Sequence, residues 1–96
     1  MRLLANVDDV LEEVVPPVVA RYRDAGTLSW ALIHQIESDV LEEALKSGRL
    51  SAQAANMVRS HEAFGYPRDD RPASFEGLGV LPIVFGAIQN AWNRVH

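Results

Sequence analysis

The sequence predicts an all-α protein, a compact bundle of four or five helices whose N-terminal helix is broken by proline. Three observations carry this reading. Apolar residues recur at spacings of three and four over two long stretches, through Ile33, Ile36, Val40 and Ala44 and again through Leu81, Val84, Phe85, Ile88, Trp92 and Val95. Residues that cap and stop helices punctuate the chain between such stretches. With 96 residues, 48% of them hydrophobic and 23% charged, the chain is large enough for one core and too apolar for disorder. Residues 1–96 therefore read as a single helical domain.

Asn6 is a candidate N-cap, and Asp8 and Asp9 favour the positive end of the helix that follows. Val7, Val10, Leu11, Val14 and Val15 share one face of that helix. Pro16-Pro17 then interrupts it, because proline lacks an N–H and clashes with the preceding turn, costing ~3 kcal/mol in a helix interior. Two short helices, about 7–14 and 16–25, or one kinked helix ending at Gly26 are expected.

Thr27 or Ser29 caps the next helix, 28–47, which stops at Gly48. Trp30, Leu41 and Leu45 widen its apolar stripe, and Gln35, Ser38, Asp39, Glu42, Glu43 and Lys46 make its wet face. Ser51 caps a helix over 51–64 with a narrow face of Ala54, Ala55, Met57 and Val58. Residues 66–76 form a turn-rich loop, and Pro82 opens a last helix, 82–95. Helices 28–47 and 82–95 are expected to form the main packing pair, with Trp30 and Trp92 meeting between them. If one chain cannot cover both stripes, a homodimer is the simplest outcome.

Composition narrows the function classes. Thirteen acids against nine bases give a formal charge of -4, which argues against nucleic acid as a partner, since binding it takes clustered cations. Without cysteine there is no disulfide framework or thiolate site, which fits a reducing, cytoplasmic setting. The early acids at positions 8 and 9 leave no room for a secretion signal, and no apolar run is long enough for a membrane span of ~20 residues.

No motif calls for an enzyme, a metal or a cofactor. His34-x-x-Glu37 sets an imidazole and a carboxylate one turn apart, but a carboxylate-bridged metal bundle needs a second such pair, and His61 offers only Glu62 beside it. A solvated histidine next to an acid is the expected reading. Ser29 and Ser51 are explained as caps and Ser74 as a loop residue, so none is marked as a nucleophile. Gly77 and Gly79 lack the spacing of a phosphate loop. Residues 51–66 could hold a degenerate helix-turn-helix, yet few basic groups follow for the major groove.

The remaining features suit protein binding. Phe64, Tyr66, Arg68, Arg71 and Phe75 gather within a dozen residues, and aromatics and arginine are enriched in interface hot spots. The competing reading has Phe64 and Phe75 pinning the loop while the arginines pair with Asp69, Asp70 or Glu76. Glu37, Asp39, Glu42 and Glu43 offer a second docking face, because Asp39, Glu42, Glu43 and Lys46 share one side of their helix, although such a run is commonly just solvated. The expected role is an inhibitor, an antitoxin or immunity-type protein, or a phage accessory protein that binds another protein. A DNA-binding regulator is the alternative.

Overall fold

A computed structural model describes residues 2–62, 67–73 and 83–96, giving the backbone alone for 2–8, 61, 62 and 83. Among the described residues the chain forms four α-helices: α1 (Arg2–Ala20), α2 (Trp30–Lys46), α3 (Ala52–Glu62) and α4 (Ile83–Val95), with a short 3-10 turn at Arg23–Ala25 after α1. The described residues hold no strand, only an isolated antiparallel bridge between Ser29 and Pro72.

Local chemistry sets the ends of these helices. The Ser29 hydroxyl accepts the Leu32 N–H at 3.1 Å, and the Ser51 hydroxyl accepts the Ala54 N–H at 3.1 Å, each satisfying an amide that the helix itself leaves unpaired. At the far end of α2, Gly48 takes a φ of 73°, which L side chains rarely adopt. That turn lets Gly48 N–H donate to the Leu45 carbonyl at 3.1 Å and Arg49 N–H to the Ala44 carbonyl at 3.0 Å, a Schellman ending.

The expected proline break is not seen. Helix α1 runs through Pro16 and Pro17. The two bonds that these prolines forgo would have gone to the carbonyls of Glu12 and Glu13, which lie on the exposed side where water can serve instead. On the other side Val14, Val15, Val18 and Val19 are all buried in the core. Full burial of a valine is worth ~1.5–3 kcal/mol, so four of them outweigh the proline penalty.

The packing order also differs from expectation. Helix α1 packs most extensively against α4 and next against α2, while α2 and α4 meet over a smaller area. The valines of α1 belong to the same core as the apolar residues of α2 and α4. Phe85, Ile33, Ile36, Leu41 and Ile88 fill the centre with them. Trp30 lies against Phe85, with ring centroids 6.3 Å apart, and Trp92 stacks on His96 at 4.3 Å. Both tryptophans are buried within the one chain. No described helix is long and apolar enough to cross a membrane.

Candidate functional site

Residues 67–73 lie across the N-terminal end of α2 and are fastened there by backbone. The first amides of a helix have no partner within it. Here the Trp30 N–H donates to the Arg71 carbonyl at 2.9 Å, and the Ala31 N–H donates to the Asp69 carbonyl at 2.8 Å. In return the Ala73 N–H donates to the Leu28 carbonyl at 2.8 Å. With the Ser29 hydroxyl on Leu32, the first three amides of α2 are all satisfied, so this end is closed to an anion.

Asp69 shapes the segment from within. Its carboxylate accepts the Arg71 backbone N–H at 3.1 Å and the Arg71 guanidinium Nε–H at 2.7 Å. Arg68 and Arg71 are both exposed. Arg71 is thus held by the acid two residues before it, whereas Arg68 has no ion pair among the described residues.

Beneath this loop lie His34 and Glu37, one turn apart on α2. The solvated histidine and acid expected from the sequence are in fact buried, at 9% and 3% exposure. His34 Nε2 stands 2.7 Å from the Pro67 carbonyl oxygen, which can only accept, so Nε2 carries the proton and donates. The edge-on contact of the ring with Phe85, centroids 5.3 Å apart, fixes its plane. Burial pushes the His34 pKa down, the hydrogen bond to Pro67 opposes this, and the charge of Arg68 adds to it.

Glu37 carries the larger perturbation. Its Oε2 is buried without a hydrogen-bond partner among the described residues. Burial raises the carboxyl pKa to about 7, against the pull of the Arg59 and Arg68 charges. A buried imidazole with a lowered pKa and a buried carboxyl with one raised to about 7 thus share the floor under the loop. No group of three metal-ligating side chains occurs among the described residues.

Of the residues singled out from sequence, Arg68 and Arg71 come together on the loop, and Phe64, Tyr66 and Phe75 lie outside the described residues. The acidic face of α2 is largely engaged with its own chain. Asp39 accepts the Tyr22 hydroxyl and the Gln35 amide, and Glu42 pairs with Lys46 at 3.8 Å. Sequence reasoning missed Pro67, Asp69 and Ala73 as the backbone fastenings of the loop. Backbone pairing leaves no side-chain signal, and the Asp-x-Arg-Pro turn was the one trace available.

Over residues 2–96 the chain matches a family described as a protein of unknown function (DUF2471), and it belongs to that family. No curated protein and no solved structure matches it.

Proposed function

We propose that this member of the DUF2471 family is a non-catalytic, cytoplasmic protein that acts by binding another protein through the surface of loop 67–73. The observation that supports this most is the backbone fastening of the loop to α2, through Trp30, Ala31 and Ala73. A segment already ordered in the free protein loses little conformational entropy on binding, so its side chains contribute more of their contact energy to affinity. Arg68 and Arg71 are the exposed side chains of the type that dominates interface hot spots. Phe64, Tyr66 and Phe75 flank them in sequence and complete the proposed surface. An inhibitor, an antitoxin or immunity-type protein, or a phage accessory protein fits such a role.

The test is affinity capture from host lysate with tagged wild type and the Arg68→Ala/Arg71→Ala variant. A protein retained in stoichiometric amount by wild type and weakened ~30-fold or more in the variant is expected, the size of a hot-spot loss. Because Asp69 already holds Arg71, Arg68→Ala alone should account for most of the loss. Undiminished capture by the double variant would remove the loop from the interface. Capture of duplex DNA instead, steeply weakened by salt, would favour the DNA-binding alternative around 51–66.

A further inference from the structure

We propose that the open groove between α1 and α4 is a self-association surface, occupied by the same groove of a second copy of this chain. The groove is open to solvent and has a volume of about 660 Å³, with buried Leu11, Val15 and Ala91 among its lining residues. It shares no residue with loop 67–73 or with His34 and Glu37, so this proposal and the binding role of the loop stand or fall separately.

Two features point to the occupant. The first is charge. Glu12 on α1 and Arg94 on α4 both line the groove, both are exposed, and neither has an ion pair among the described residues. A strongly acidic or basic foreign segment would meet a like charge on one of the two. A second copy meets neither problem. With a two-fold axis running along the groove, the α1 wall of each copy lies over the α4 wall of the other. Glu12 of each copy is then brought over the wall that carries Arg94 of the other, and symmetry makes that opposition of charge twice.

The second feature is Gly86, which lines the groove from within α4 at an ordinary helical φ. A Cβ built at Gly86 would meet nothing within 4 Å. A glycine weakens a helix interior relative to alanine, and the packing among the described residues gives no reason for one at this position. Close approach of another backbone does give a reason.

Sedimentation of the purified full chain across a range of concentrations tests the proposal, using wild type, Glu12→Arg, Arg94→Glu, the double reversal Glu12→Arg/Arg94→Glu, and Gly86→Leu. Wild type is expected to dimerise. Each single reversal sets like charges face to face and should weaken the dimer by about tenfold or more, while the double reversal restores it. Gly86→Leu should be monomeric and still folded, with a helical circular dichroism spectrum and a cooperative melt, since a Cβ at this position meets nothing within 4 Å among the described residues. A wild type that stays monomeric up to its solubility limit would overturn the proposal, as would a dimer indifferent to all four variants or a double reversal no better than the singles.

Discussion

Glu37 is the residue with the most to reveal about the molecule. It occupies the middle of the apolar stripe of α2, at spacings of four, three and four through Ile33, Glu37, Val40 and Ala44. That spacing was legible in the sequence as burial, but the carboxylate suggested a wet position, and only the structure settles the conflict in favour of the spacing. The consequence is a pH dependence with a definite sign. The ordinary carboxyl pKa is 4.5, and in the fold it rises to about 7. Between those values the folded state holds a proton that the unfolded chain has released, so Glu37 makes stability fall as pH rises and level off above about 7. At about 1.4 kcal/mol per unit the loss is roughly 3 kcal/mol. His34 acts in the opposite direction. Its lowered pKa means that the unfolded chain takes up a proton first, so its contribution falls as pH drops below 6.5. Glu37→Gln isolates the first effect. In chemical denaturation, the stability of the variant relative to wild type should rise by about 2.5 kcal/mol between about pH 5 and pH 8. A difference that stays constant with pH would mean that the carboxyl is not desolvated.

At the scale of elements, caps and stops were readable because they rest on single side chains. Ser29, Ser51 and Gly48 each do locally what their chemistry allows. The continuity of helix α1 through Pro16 and Pro17 was not readable because the proline penalty is local while the compensation is tertiary. Four valines on the buried side hold the helix through a step that an isolated peptide would not make. Pro17 is exposed, so its ring contributes little packing and its missing hydrogen bond faces water. Pro17→Ala should therefore raise the stability of the protein by ~1–2 kcal/mol, the helical gain being partly offset by a freer unfolded chain. Thermal melts would show it. A lowered melting temperature would instead assign the ring a packing role against its neighbours.

For the whole molecule, the class of fold was legible because a 3.6-residue period repeats over most of the chain. The order of packing was not, since three comparable apolar stripes can be paired in more than one way and periodicity does not rank them. In the fold α1 is the hub. Its contacts with α2 and α4 leave the N-terminal end of α2 to be covered by residues 67–73. The salt bridge from Arg49 to Glu13, at 3.1 Å, ties the α2–α3 turn back to α1. The binding surface proposed for Arg68 and Arg71 depends on that cover being a standing part of the fold. Native-state hydrogen exchange at Trp30, Ala31 and Ala73 measures it most directly. The first two amides of a helix normally exchange as readily as those of a loop, because the helix gives them no acceptor. With the Arg71, Asp69 and Leu28 carbonyls in place, all three should be protected to a degree approaching the amides of Ile36 and Val40 in the middle of α2. Exchange of these three at the rate of an unstructured chain, while the middle of α2 stays protected, would contradict a pre-ordered binding loop.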